Sequence, residues 1–264
     1  MEIIKKTFPN VPFIAKLTRI PILGKIFDIA MFEGDDIIYL TQDKVIPVNK
    51  ELQKEADIVL PSQVLEHFIE KANYHWIMNF CICRDSMQCK DYPIKLGCMF
   101  LGEAVLDINP QLGRLVSKEE ALKHLKRCQE AGLVQMLGRN KLDANWLGVK
   151  PGYKLLSICN CCPCCCLWRV APILTKKIGQ KIKKMPGVNV KVTEKCIGCG
   201  TCTQGICFVD AIQLVNNRAV ISQECRGCGR CVEICPQKAI ELTIDDKLFV
   251  KKSIKRIETV VDVT

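Results

Sequence analysis

Two stretches of the chain repeat one cysteine spacing: Cys196-Ile-Gly-Cys199-Gly-Thr-Cys202 ahead of Cys207, and Cys225-Arg-Gly-Cys228-Gly-Arg-Cys231 ahead of Cys235-Pro236. No other feature limits the fold so strongly. Thiols at i, i+3 and i+6 wrap a short loop around one corner of an iron–sulfur cube, and a fourth thiolate must come from further away. Closely spaced cysteine pairs also suit Zn²⁺. Two complete copies together with the Cys-Pro ending favour iron and sulfide instead.

These motifs resemble those of bacterial-type dicluster ferredoxins, and the resemblance covers roughly residues 188 to 246. In that family the last cysteine of each motif serves the other cluster. The resemblance therefore implies that Cys196, Cys199, Cys202 and Cys235 hold one [4Fe-4S] cluster, and that Cys225, Cys228, Cys231 and Cys207 hold the second. Its expected scaffold is a strand at Val188 to Val192, a short helix at Phe208 to Ile212 and a strand at Ala219 to Ile221. A helix at Lys238 to Ile240 and a strand at Glu241 to Ile244 repeat the pattern. Gly198, Gly200, Gly227 and Gly229 recur where a missing Cβ lets amides approach cluster sulfurs. The first motif departs from the family: four residues precede Cys207, and Phe208 stands where proline is usual.

The chain has 264 residues and 19 cysteines, so eleven thiols lie outside this region. No charge-free apolar run is long enough for a transmembrane helix. Lys5 and Lys6 are followed by Pro9 and Pro12 with no clean cleavage site, so no signal peptide is read and the expected location is the cytoplasm. In a reducing compartment thiols bind metal or do redox chemistry rather than pair as disulfides. Cys159, Cys161, Cys162, Cys164, Cys165 and Cys166 fall within eight residues, and Cys81, Cys83, Cys89 and Cys98 lie upstream. These ten exceed what one four-coordinate site uses. A third iron–sulfur cluster, a zinc site using about four of them, or a reducible pair such as Cys161 and Cys162 are the alternatives. Cys128 reads as a buried small hydrophobe. The string Ile158-Cys-Asn-Cys-Cys-Pro-Cys-Cys-Cys166, with Cys81-Ile-Cys-Arg84, also resembles anaerobe ferredoxin-like 4Fe-4S proteins, which implies anaerobic redox metabolism.

The fold class expected is α+β, a cysteine-rich domain over residues 1–166 followed by a ferredoxin-like domain with a C-terminal tail over residues 188–264. Asp36 to Leu40 and Val45 to Val48 read as a hairpin with Pro47 on an edge strand. Ser62 caps a helix whose inner face is Val64, Leu65, Phe68, Ile69 and Ala72. Tyr74 to Phe80 reads as a strand running into Cys81-Ile-Cys83, and Tyr153 to Ile158 as a strand running into the second thiol group. Both clusters are thus expected at one end of a sheet. Ser117-Lys-Glu-Glu120 is a capping box for a helix ending at Gly132.

Residues 1–185 carry 27 basic and 19 acidic side chains. Six of the basic ones lie in Leu167 to Met185, where Ile173, Leu174, Ile178, Ile182 and Met185 are spaced as one face of a basic amphipathic helix, taken with the linker as residues 167–187. Such a helix suits an acidic redox partner, a peripheral contact with an anionic membrane, or simple solvation. Nucleic-acid binding through a winged-helix-like element at Lys118 to Ala131 is disfavoured because that helix carries both signs. Phosphate-loop, dinucleotide and HExxH signatures are absent, and only His67, His75 and His124 are present. One-electron transfer through two [4Fe-4S] clusters is the expected function, as a carrier or electron-delivering subunit. A self-contained oxidoreductase at the upstream thiols, for example reducing disulfides, is the alternative.

Overall fold

The computed structural model describes residues 2–46 and 59–264. The chain folds as an α+β protein. Seven strands, β1 (Asp36–Tyr39), β2 (His75–Met78), β3 (Met99–Leu101), β4 (Gly113–Val116), β5 (Val134–Arg139), β6 (Leu156–Cys161) and β7 (Ile182–Lys184), form one sheet in the order β4-β2-β3-β6-β5-β1-β7. All neighbours are antiparallel except β1 and β7. Beyond the sheet, β8 (Val188–Val192) pairs with β11 (Ile240–Ile244), and β9 (Ile212–Val215) with β10 (Arg218–Ile221). The β9–β10 turn is Asn216-Asn217, both left-handed, a conformation asparagine tolerates. Helices are α1 (Glu2–Thr7), α2 (Val11–Leu17), α3 (Pro21–Phe27), α4 (Ser62–Lys71), α5 (Ile82–Ser86), α6 (Lys118–Glu130), α7 (Lys141–Leu147), α8 (Lys176–Gly179), α9 (Arg230–Ile234) and α10 (Phe249–Glu258). Among the described residues no helix is long and apolar enough to cross a membrane.

Successive strand side chains point to opposite faces, and here both faces are covered. Ile38, Ile77, Met99, Leu101, Leu137, Leu156 and Ile158 pack on one side with Leu65 and Phe68 of α4, Leu125 of α6 and Ile257 of α10. The alternate positions carry the chemistry: Cys98, Cys159 and Cys161 belong to the other face, with Trp76, Phe100, Tyr39 and Met136. Val11 and Ala15 of α2 pack beside that face against Val170, Leu174 and Ile178.

The capping box forms, with the Glu120 amide donating to Ser117 Oγ at 3.2 Å, and α6 ends at Gly132 with φ +72°. Helix α4 buries Val64, Leu65, Phe68 and Ile69, though Pro61 takes the cap position and the Ser62 amide donates to Asp43 Oδ1 at 3.0 Å. Several local expectations are corrected. The partners of β1 are β5 and β7, Val45 ends a 3₁₀ turn, and Pro47 and Val48 lie outside the described residues. Residues 167–187 do not form one amphipathic helix: Pro172 and Gly179 interrupt them, leaving a 3₁₀ turn at Leu167–Val170, the four-residue α8 and strand β7. Leu174, Ile178, Ile182 and Met185 are nevertheless buried, because β1 offers an open edge for Ile182 to pair with Ile37. The strands after α6 are central members of the sheet, not a wing. Phe208 to Ile212 is a turn entering β9, and the second repeat's helix is α9 at Arg230–Ile234, not Lys238 to Ile240.

The C-terminal segment packs on the main sheet as well as on Val188 and Leu242 of the repeats. Phe249, Ile257, Val261 and Val263 enter the same apolar cluster as Ile38 and Leu65. The Asn73 amide donates to the Val263 carbonyl at 3.2 Å, and Arg256 pairs with Asp36.

Candidate metal centres

In the C-terminal repeats each cysteine loop turns through left-handed glycines, Gly198 (φ +71°) and Gly200 (+77°) in the first, Gly227 (+66°) and Gly229 (+88°) in the second. Backbone amides aim at sulfur: Ala211 to Cys207 at 3.3 Å, Ala219 to Cys196 at 3.4 Å, Gly227 to Cys225 at 3.4 Å and Ala239 to Cys235 at 3.3 Å. The Ala211 and Ala239 bonds are equivalent in the two repeats, each following a left-handed residue, Asp210 or Lys238. Cys196, Cys199, Cys202 and Cys235 line one recess. Burial raises the Cys202 thiol, and the charges of Cys235, Cys196 and Cys199 raise it further. Burial pushes Cys228 up to about 12, with Cys207 and Cys225 as its charged neighbours. Soft thiolates with amide donors and no competing carboxylate at the sulfurs form a donor set that fits iron–sulfur clusters.

The two rings differ in exposure. Cys199 is exposed beside Ile197, whereas Cys207, Cys225 and Cys228 pack against Ile37, Tyr39 and Trp168 of the main body. Two hydrogen bonds fasten the second loop to the end of β1: the Gln42 amide to the Cys228 carbonyl at 3.1 Å and Thr41 Oγ1 to the Gly227 carbonyl at 2.8 Å. Phe208, the departure from the family pattern, is buried with its ring 5.6 Å from that of Tyr39. Arg230 donates to the Gly132 carbonyl at 2.7 Å and to Tyr92 Oη at 2.8 Å, and Arg226 bonds to Glu224. Both arginines serve internal contacts.

The ten upstream thiols come together from the ends of β2, β3 and β6, and they separate into two groups. Cys89, Cys162, Cys164 and Cys165 place their sulfurs within 4.8 Å of one another. The other six follow one another as a chain in which each thiol acts electrostatically on the next, Cys83–Cys81–Cys98–Cys159–Cys161–Cys166. Hydrogen bonds from Cys83 and Cys98 hold the Cys81 thiol well below its usual value, and those from Cys161 and Cys98 do the same for Cys159. The strand expected to continue through Cys83 ends at Met78. Cys81 instead caps α5, and Cys83 lies in that helix. Cys128 is fully buried, and burial pushes its thiol up to about 12.

Arg84 sits between the two groups and is fully buried. Its guanidinium donates to the carbonyls of Pro93 (3.0 Å), Asn160 (2.8 Å) and Leu96. Burial alone would favour losing its charge, but the thiolate charges at Cys81, Cys162 and Cys98 overcome this and raise its pKa. The six-thiol chain lines a cavity of about 370 Å³ whose other walls include Phe8, Val11, Phe32, Trp146 and Trp168. Asp143 also lines it, accepting from Trp146 Nε1 at 2.9 Å and Asn140 Nδ2 at 2.7 Å. Burial, with the charge of Cys159, raises its carboxyl to about 7. Sequence reasoning missed the roles of Arg84, Asp143 and Asn160. Only the lone arginine beside two cysteines was a signal, because Asp143 reaches the thiols through the fold alone.

The family model of the LdpA Fe-S cluster-binding domain matches residues 203–245. The matched segment includes Cys207, Cys225, Cys228, Cys231 and Cys235 and begins just after Cys202. No curated protein and no solved structure matches the chain. With the amide-to-sulfur geometry of the repeats, that similarity supports an iron–sulfur-binding domain in the C-terminal part of this protein.

Proposed function

We propose that the protein transfers single electrons in the cytoplasm through two [4Fe-4S] clusters, one held by Cys196, Cys199, Cys202 and Cys235, the other by Cys225, Cys228, Cys231 and Cys207. The observation that carries this reading is the repeated geometry of amides directed at cysteine sulfurs, with Ala211 and Ala239 in equivalent places. Bound clusters supply one-electron redox chemistry. The chain's own residues set its conditions: amide donors favour the more negative reduced state, and packing against Tyr39 and Trp168 excludes water from the second ring. A basic cleft containing Lys176, Lys183 and Lys184 opens beside Cys225, which suits an acidic redox partner. The six-thiol chain is read as a further redox centre.

Anaerobic purification with iron, sulfide and electron paramagnetic resonance tests this. The expected result is about eight iron atoms for the two clusters, or about twelve with a further cluster upstream. Cys228→Ser should remove one reduced-cluster signal and leave the other; an unchanged iron content and spectrum would refute the assignment.

The cavity favours a second reading, a self-contained oxidoreductase in which the six thiols meet a small, largely apolar substrate and Asp143 holds or releases a proton. Turnover that is lost in Asp143→Asn while cluster signals persist distinguishes this enzyme from a carrier.

A further inference from the structure

We propose that Cys89, Cys162, Cys164 and Cys165 form a closed structural site for a single Zn²⁺ ion, separate from every iron–sulfur centre. Sulfur-to-sulfur distances are 3.6 Å for Cys89–Cys164, 3.5 Å for Cys162–Cys164 and 3.5 Å for Cys164–Cys165. Four thiolates around one tetrahedral zinc at about 2.3 Å lie about 3.8 Å apart, so these sulfurs already have nearly the separation one ion imposes. A cubane cannot use such a set. Each of its thiolates sits on a different iron at a different corner, which spreads the sulfurs well beyond contact.

The surroundings suit a permanent, saturated ion. Cys162 and Cys165 are buried, and the apolar cluster of Leu133, Tyr92 and Leu96 closes around them. Four thiolates and Zn²⁺ carry a net charge of −2, and the buried guanidinium of Arg84, which feels the Cys162 charge, offsets it. Arg169 adds a bond to the Cys164 carbonyl at 3.3 Å. With four sulfurs engaged, no position stays open for water or substrate, which marks a structural rather than a catalytic zinc.

Such an ion has a definite task. The turn Pro163–Cys165 links Cys161 to Cys166, which both belong to the six-thiol chain. Fastening that turn to Cys89 would fix the two outer thiols at the cavity wall. The interlaced run Cys159 to Cys166 then serves two centres: Cys159, Cys161 and Cys166 line the cavity, Cys164 and Cys165 lie away from it, and Cys162 stands at the wall between the two.

The test uses the full chain, purified without oxygen from cells supplied with both iron and zinc. About one zinc per chain is expected, and zinc X-ray absorption should show four sulfurs at about 2.3 Å and no short metal–metal distance. Cys89→Ser and Cys164→Ser should each lose at least about 80% of that zinc while iron content stays unchanged. Cys128→Ala, in the same apolar cluster but outside the four, should retain it. Wild-type protein without zinc, a zinc shell containing nitrogen or oxygen, a single iron in its place, or loss of iron in Cys89→Ser would each overturn the proposal. The absorption measurement needs no variant, so misfolding of the serine variants leaves the zinc assignment testable. Failure of the electron-transfer reading would show separately in the iron count.

Discussion

The C-terminal eight cysteines and the upstream ten solve one problem by different means. In the repeats, sulfurs face one another as neighbouring charges and are stabilised by amides of their own loops, at Ala211, Ala219, Gly227 and Ala239. Upstream, sulfurs touch one another, and their charge is met by one buried guanidinium, that of Arg84. A loop that carries its own donors can be duplicated as a unit. A site assembled from three strand ends depends on the whole sheet, and its register admits no such copying.

Removing Arg84 should reveal that dependence most strongly. Arg84→Met leaves three backbone carbonyls and a cluster of thiolates without their cation, and should cost about 3–5 kcal/mol in denaturant unfolding. The exposed pair Arg218–Glu194 beside the first repeat is the counterpart, and Arg218→Met should leave the denaturant midpoint essentially unchanged. Equal costs would erase the distinction between the regions.

Next in size is a backbone change confined to one loop. An added Cβ at Gly198 would lie 2.2 Å from the Asn217 carbonyl oxygen, at φ +71°. Gly198→Ala should therefore cost about 1–2 kcal/mol for the left-handed conformation alone. Iron retention after mild chelation should fall for the first ring and hold for the second. Loss from both rings would show that the loops are not independent.

The last effect is confined to one pH window. With its carboxyl raised to about 7, Asp143 binds a proton in the folded chain that it releases when unfolded, between about pH 4 and 7. Its contribution to stability is thus full below that window, declines as pH rises through it, and is absent above. Asp143→Asn should flatten this part of the stability–pH curve, measured by denaturant midpoints. A variant that keeps the wild-type slope would place the titration elsewhere.

Much of this contrast was legible in the sequence, though unevenly. The i, i+3, i+6 spacing, the glycines and the α6 capping box act over a few residues, so they read directly and β8, β10 and β11 follow. The strand expected to run from Tyr74 into Cys81 and Cys83 stops at Met78, because Cys81 opens helix α5 and Cys83 lies inside it. The division of the upstream thiols was not legible, because Cys89 meets Cys164 across 75 positions. The run 167–187 shows a subtler failure: its buried residues were identified, but the open edge of β1 turned part of an expected helix into a strand. Phe208, an anomaly in the motif, acquires its reason only once Tyr39 lies against it.

Helix α10 and the residues to Val263 are made after every cysteine in the chain, yet they cover Ile38 and Leu65 in the central core. Synthesis therefore produces all 19 thiols before it produces the segment that closes this side of the sheet. The molecule cannot mature strictly from front to back, one finished unit after another. Helix α10 docks beside strand β1, which is made before any of the cysteines, so the folding of the metal-binding parts and the sealing of this core are coupled in time.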